Sequence, residues 1–193
     1  MAPRQQTPSP AAARGHCCGG ADQPAVVNAL SSGEVQGAFL DSASEAVALK
    51  DSKSVQLAQG PSTNAWSLLA TSRGPLVNEK IRQALSLALN REGIVKAAFG
   101  GLAQPWKTPL GSGAWGYDKE AFQAAYDKLK GAPAKPSSDD IAKAKQLVKD
   151  AGSPSEPIIV ASDGGSTRNV ISNALVDAAK KIGLKAKIIT VPS

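Results

Sequence analysis

The stretch LVNEKIRQALSLALNREGIVKAAFGG, residues Leu76 to Gly101, carries the strongest local signals in this sequence. Asn78 and Asn90 each precede an apolar pattern with helical spacing, and an asparagine side chain can cap the free amides of a first helical turn. Gly100 and Gly101 end the second pattern, because glycine readily takes the left-handed conformation that follows helices. The stretch predicts two linked amphipathic helices. Their expected buried side chains are Ile81, Ala84, Leu85, Ala88 and Leu89 in the first helix and Ile94, Val95 and Ala98 in the second.

The C-terminal part of the chain follows a strand, helix, strand pattern. A continuous apolar strand, Pro157–Ala161, runs into a polar turn at Ser162–Asn169. Ser166 begins a helix that Gly183 ends, and apolar and lysine residues then alternate over Leu184–Ile188, as in a half-buried strand. In nearly all proteins such a unit is a right-handed crossover between parallel strands. The predicted fold class is therefore α/β, with a mixed sheet flanked by helices.

Further elements are predicted between and before these two regions. In chain order they are a short helix ahead of Ser31, a strand Val35–Leu40, a helix Ser44–Lys50, two extended segments around Gly60 and Pro61, a helix within 119–136, and a helix capped by Ser138 that ends at Gly152. Aromatic residues make up 4% of the chain, so its interior must rest on Ala, Leu, Ile and Val.

Composition and charge restrict the classes of protein to which the chain can belong. Its 193 residues carry a formal charge of +6, and the lysines are scattered over helix faces and strand ends. No basic stripe is interleaved with aromatic side chains, so we expect a solvated surface and no binding to nucleic acid. No apolar run approaches the roughly 18 residues that a membrane span requires.

Residues 1–22 form a separate segment, rich in Pro, Ala, Ser and Gly, for which disorder or a non-native origin is expected. The segment lacks the apolar stretch of roughly 7–15 residues found in a secretory signal, so the chain as written is expected to stay in the cytoplasm. His16, Cys17 and Cys18 lie here and are not expected to form a metal site. We predict no catalytic triad, no metal centre and no cofactor for the chain.

Three motifs match a known family. RQALSLALNR, Arg82–Arg91, fits the pattern R-Q-A-L-x-x-A-[IL]-[DN]-R, and AKAKQLVKDAG, Ala142–Gly152, fits a second helix of the same family. Lys180–Ile188 fits its K-x-[IL]-G-[IL]-K-[AV]-x-[IL] ending. The chain thus resembles ABC-transporter solute-binding proteins of the peptide/nickel class, family 5. The resemblance implies that 23–193 is part of the C-terminal lobe of a two-lobed, Venus-flytrap, type II periplasmic binding protein fold.

The resemblance also implies a function. Intact members close two lobes over a peptide or another small solute, deliver it to a membrane permease and catalyse nothing. They are periplasmic or attached to the cell surface, and we expect a monomer. Because closure needs contacts from both lobes, one lobe alone is expected to bind peptide weakly or not at all. Peptide, nickel-complex, opine and oligosaccharide binders share these motifs, so the solute itself is not predicted.

The loop 102–118, LAQPWKTPLGSGAWGYD, holds three candidate solute-binding residues: Trp106, Trp115 and Tyr117. Proline and glycine exclude regular structure from it, and the family has a similar loop, ending in W-G-Y, near its cleft. Aromatic rings in such a loop can stack on a ligand. The alternative is that they only pin the loop to the domain.

The turn Ser162–Asn169 holds two more candidates, because a strand end that leads into a helix is an ordinary place for ligand groups in α/β domains. Asp163 could hold the amino group of a peptide. Arg168 could pair with a carboxylate or lie in solvent.

Two other functions remain open. One is a small-ligand α/β enzyme that uses this turn, and the other is a truncated product without function, which would expose apolar faces.

Overall fold

A computed structural model describes residues 23–40, 43–63 and 65–191. The predictions for residues 1–22, including those for His16, Cys17 and Cys18, lie outside the described residues. The chain divides into two compact units, of which the first ends at Leu57 and the second begins at Ala58. The assignment of 23–193 to a single lobe stays a prediction.

The first unit contains helices α1 (Gln23–Ser32) and α2 (Ala43–Leu49), which pack against each other. Its buried side chains include Leu30 and Leu49. The predicted strand Val35–Leu40 is wrong, because these residues form no ladder with any described strand. A strand needs a partner for its amides and carbonyls, and here even the ring of Phe39 is 91% exposed.

In the second unit a short 3-10 helix, Pro75–Val77, precedes helices α3 (Glu79–Ala88) and α4 (Arg91–Phe99). Both predicted caps are confirmed: the side chain of Asn78 accepts a hydrogen bond from a first-turn amide of α3 at 2.9 Å, and that of Asn90 does the same in α4 at 3.0 Å. Gly100 follows α4 in the left-handed conformation, with φ 54°. The predicted buried side of α3 is confirmed except for Leu89, which follows the helix and is half-buried. In α4 the buried residue is Phe99, while the three predicted residues, Ile94, Val95 and Ala98, are half-buried.

Two helices follow, α5 (Lys119–Lys128) and α6 (Ser138–Asp150). The sequence predicted Ser138 as the cap of α6, and this prediction is wrong. The residue that caps the helix is Ser137. Its hydroxyl accepts from the amide of Asp140 at 3.1 Å, and the Asp140 carboxylate accepts from the Ser137 amide at 2.9 Å. Only the serine three residues before an acidic side chain can complete this reciprocal box, which explains the choice between two adjacent serines.

The predicted crossover is confirmed. Strand β1 (Ile158–Ser162) leads through α7 (Ser166–Lys181) to β2 (Ala186–Thr190), and the strands pair in parallel. The register runs from Ile158 opposite Ala186 to Ser162 opposite Thr190. The described residues form this two-stranded parallel sheet, and they include no antiparallel partner of the kind that a mixed sheet contains.

The core of the second unit lies where α3, α6 and α7 meet the inner face of the sheet. Small and branched side chains fill it, as the low aromatic content requires. Those that expose nothing are Ile81, Ala84, Ala144 and Ala179. β1 buries Ile158, Val160 and Ser162 on this side, while Ile159 on the outer side is 45% exposed. The described helices include none with the length and apolar character that would span a bilayer.

Candidate functional site

The loop 102–118 is fastened to residues 62–65, part of one of the two segments predicted as extended. Three main-chain hydrogen bonds join them: Ala65 N to Pro109 O at 3.1 Å, Gly111 N to Thr63 O at 2.9 Å, and Gly113 N to Ser62 O at 3.0 Å. The approach is so close that a Cβ on Gly113 would lie 2.4 Å from the Pro61 carbonyl oxygen, which only glycine permits. The loop therefore has a fixed path. One short part of it, Ser112–Ala114, forms a 3-10 helix, so the prediction that the whole loop lacks regular structure is wrong at these residues.

Four aromatic rings, from Trp106, Trp115, Phe122 and Tyr126, form what we call the aromatic cluster. The ring of Trp106 stacks on that of Tyr126 with centroids 4.3 Å apart, and its other neighbour is Trp115 at 5.9 Å. Trp115 in turn stacks on Phe122 at 6.2 Å. The Trp106 indole donates its hydrogen bond within the loop, to the Leu110 carbonyl at 2.8 Å. Both tryptophans are thus half-buried by contacts with their own loop and α5.

Tyr117 differs from the two tryptophans, because its side chain is fully exposed. Its backbone lies between Trp115 of the aromatic cluster and Asp118, whose carboxylate caps α5 by accepting from an amide of the first turn at 3.1 Å. Of the three aromatic candidates in the loop, Tyr117 is therefore the one whose ring is open to a solute.

The turn after β1 brings Asp163 and Arg168 together in an ion pair. The other carboxylate oxygen of Asp163 accepts from the Gly165 amide at 3.0 Å, and the Asn169 amide group donates to the Gly164 carbonyl at 2.8 Å. The Asp163 side chain is 20% exposed and that of Arg168 is 54% exposed. The turn thus offers a held carboxylate beside an accessible guanidinium.

Trp66 links the turn to the loop. The guanidinium of Arg168 lies 5.6 Å from the centroid of the Trp66 ring, within the range of a cation–π contact. The rings of Trp66 and Phe99 form a T-shaped pair with centroids 6.1 Å apart, yet Trp66 remains 59% exposed. Adjacent residues of this segment thus contact both regions, since Ala65 donates to Pro109 of the loop and Trp66 lies beside Arg168 of the turn. Asp163, Arg168 and Trp66 are brought together and form the candidate site. Tyr117 is a separate, exposed aromatic residue of the loop.

The sequence analysis did not identify three residues of the site and the aromatic cluster: Trp66, Phe122 and Tyr126. Trp66 carried a signal only as a possible strand residue, and its contact with Arg168 joins positions far apart in the chain. Phe122 and Tyr126 are spaced four apart on a helix, which places them on one face, and that pattern could have indicated an aromatic pair. No three His, Cys, Asp or Glu side chains meet as a metal-ligand set within the described part of the chain.

Comparison with known proteins identifies the family. The model for bacterial extracellular solute-binding proteins, family 5 (middle), matches residues 20–193. The chain belongs to this family. This family 5 chain is 30% identical over 162 residues to the glutathione-binding protein GsiB of Shigella flexneri serotype 5b (strain 8401), a match that covers 82% of the chain and 29% of GsiB. It is also 29% identical over 151 residues to heme-binding protein A of Haemophilus influenzae, covering 74% of the chain and 25% of that protein.

The fold of this family 5 chain is similar to that of a solved structure. The ABC transporter substrate binding protein CtaP from Listeria monocytogenes superposes with a TM-score of 0.66 at 24% identity, over 89% of this chain and 33% of that one. The likeness confirms the predicted fold class, the α/β fold of a binding protein. The chain spans about a third or less of the length of each of these three proteins.

Proposed function

We propose that the chain forms part of the solute-binding component of an ABC importer and that the solute is a small peptide. The single observation that carries the proposal is the family match over residues 20–193. The relative GsiB is named for binding glutathione, a tripeptide with free amino and carboxylate groups. In this proposal the component works as a monomer outside the cytoplasmic membrane and passes its solute to permease subunits.

The candidate site has groups that suit a small peptide. Arg168 keeps donors exposed although it pairs with Asp163, so it can bind a solute carboxylate, and Asp163 can face an amino group. The exposed rings of Trp66 and Tyr117 offer apolar area for a side chain. Trp106 and Trp115 we assign to holding the loop, since their rings are occupied by the aromatic cluster.

The arrangement of the turn favours binding over catalysis. Ser162 is 3% exposed, and its hydroxyl donates to the Asn169 side chain at 3.2 Å, so it is not presented as a nucleophile. A hydrolytic site would place a base next to an accessible hydroxyl or thiol.

The test is saturation-transfer NMR on the full chain with glutathione, a set of dipeptides, and a sugar as the negative solute. We expect signal transfer from the peptides and not from the sugar, with a Kd of about 1 mM, because one lobe supplies only part of the contacts. A cooperative thermal melt of the same sample shows that the chain is folded. If no peptide receives signal from a folded chain, the proposal is wrong, and the truncated-product alternative is favoured.

A further inference from the structure

We infer that Tyr126 and Trp106 are positioning residues, which hold the loop 102–118 so that the ring of Tyr117 meets the solute. This inference rests on the proposed function. It assigns different roles to these aromatic residues. Tyr126 and Trp106 form what we call the anchor, and Tyr117 contacts the solute.

The anchor is clearest in α5, the helix that follows the loop. Every residue of α5 is exposed except Tyr126, which is half-buried. The contacts of Tyr126 with Trp106 and of Phe122 with Trp115 therefore provide the aromatic packing between this helix and the loop. A ten-residue helix without a buried face gains little from its own propensity, so it depends on such tertiary contacts.

Lys107 adds two further contacts between the loop and Tyr126. Its ammonium lies 4.6 Å from the centroid of the Tyr126 ring and donates to the Tyr126 carbonyl at 3.3 Å. The stem of Lys107 passes so close to Gly131 that a Cβ there would lie 2.8 Å from the lysine Cγ. The ring of Tyr126 thus contacts an indole and an ammonium group, both supplied by the loop.

Tyr117 lies where this anchor ends. On one side Trp115 packs into the aromatic cluster, and on the other Asp118 caps α5. Gly116 between them takes φ 60°, a left-handed turn that directs the chain toward the helix. The backbone of Tyr117 is therefore fixed on both sides while its ring is free. A fixed backbone lowers the entropy cost of binding, because only the two side-chain torsions of the tyrosine remain to be ordered by a ligand.

The chain contains two tyrosines, Tyr117 and Tyr126, so fluorine NMR of a fluorotyrosine-labelled full chain gives one resonance for each. A Tyr126→Phe variant assigns the pair and is also the matched control, because phenylalanine keeps the stacked ring. Peptide is titrated into the wild type, Tyr126→Phe and Tyr126→Ala. We expect the Tyr117 resonance to shift with equal Kd in the first two and a Kd about fivefold weaker in Tyr126→Ala.

A purely structural role would lower the melting temperature of Tyr126→Ala and leave the Kd of its folded fraction unchanged. That result would overturn the inference, as would a Tyr117 resonance that does not move while saturation transfer shows bound peptide. Both outcomes leave the proposed function intact, whereas failure of every peptide to bind the wild type overturns the two together. Should Tyr126→Ala not fold, Lys107→Ala tests the same anchor from the loop side, with an expected loss of about twofold.

Discussion

Arg91 binds Ser86 through two of its guanidinium nitrogens. One nitrogen donates to the Ser86 carbonyl at 2.8 Å, and the other donates to the Ser86 hydroxyl at 2.9 Å. Ser86 lies in the last turn of α3, where carbonyls lack helical partners, and Arg91 is the first residue of α4. The planar guanidinium at this point joins the two helices and donates a hydrogen bond to a carbonyl in the last turn of α3. Burial lowers the pKa of Arg91 because it removes water from the guanidinium.

Replacing Arg91 with lysine should reduce stability although the charge is kept. An ammonium group is a point donor and cannot bond to two oxygens in a fixed fork, so we expect Arg91→Lys to lower the free energy of unfolding by about 1–2 kcal/mol in urea melts. The control is Lys96→Gln, which breaks the exposed ion pair with Glu92 at 3.6 Å and should cost less than about 0.5 kcal/mol. Equal losses of unfolding free energy in the two variants would contradict a specific role for the two hydrogen bonds from Arg91 to Ser86.

Substitutions of Ile81 test the position of the hydrophobic core. Its side chain is fully buried at the centre of the α3, α6 and α7 cluster, so truncation leaves a cavity that close packing cannot fill. We expect Ile81→Ala to lower the free energy of unfolding by about 2–5 kcal/mol and Ile81→Val by about 0.5–1.5 kcal/mol. Leu69→Ala is the control, because that side chain is 87% exposed and its loss should cost about 0.5 kcal/mol or less. A similar loss for Ile81→Ala and Leu69→Ala would place the core elsewhere.

The helices were predictable from sequence because their signals are local. A capping side chain such as Asn78 and a left-handed glycine such as Gly100 act within a few residues of the helix end. The strand predicted over Val35–Leu40 failed for the opposite reason. A strand exists only with a hydrogen-bonding partner, and alternating side chains in one segment do not specify that partner.

The candidate site could be predicted only in part. The position of Asp163 and Arg168 after a strand marked the turn, but their ion pair depends on a turn geometry that spacing does not give. The place of Trp66 beside Arg168 depends on contacts between segments far apart in the chain. Whether an aromatic residue in the loop is a contact or an anchor depends on exposure, which separates Tyr117 from Trp106.

The capping box of α6 should make stability depend on pH. Hydrogen bonds from the Ser137 side chain, and then from its backbone, lower the pKa of Asp140 below its ordinary value of 3.8. A carboxyl group whose pKa is lower in the folded state than in the unfolded state stabilises the folded protein. This contribution is complete at pH values above the unfolded-state pKa and is lost as the pH falls through the folded-state pKa.

Ser137→Ala removes the cap and should lower the free energy of unfolding at pH 7, and its difference from the wild type should shrink as acid protonates Asp140. Urea melts at pH 7 and at pH 2.5 measure this. Ser138→Ala is the matched control, because the adjacent serine does not cap the helix and its loss should matter little at either pH. A larger loss of stability in Ser138→Ala than in Ser137→Ala would contradict this assignment and indicate that Ser138 caps the helix.

Under the proposed function, a peptide carboxylate that binds Arg168 meets the existing ion pair with Asp163. Asp163 competes with a solute carboxylate for the Arg168 guanidinium, and Asp163→Asn removes that competition while the new side chain can still accept from the Gly165 amide. If Arg168 binds the carboxylate, Asp163→Asn should strengthen the binding of an N-acetylated dipeptide about two- to fivefold, because an exposed ion pair no longer has to be broken. Asp177→Asn is the control, since it removes the same charge from an exposed position on α7. Weaker binding of dipeptides with a free amino group in Asp163→Asn, without change for the acetylated ones, would instead assign Asp163 to the amino group.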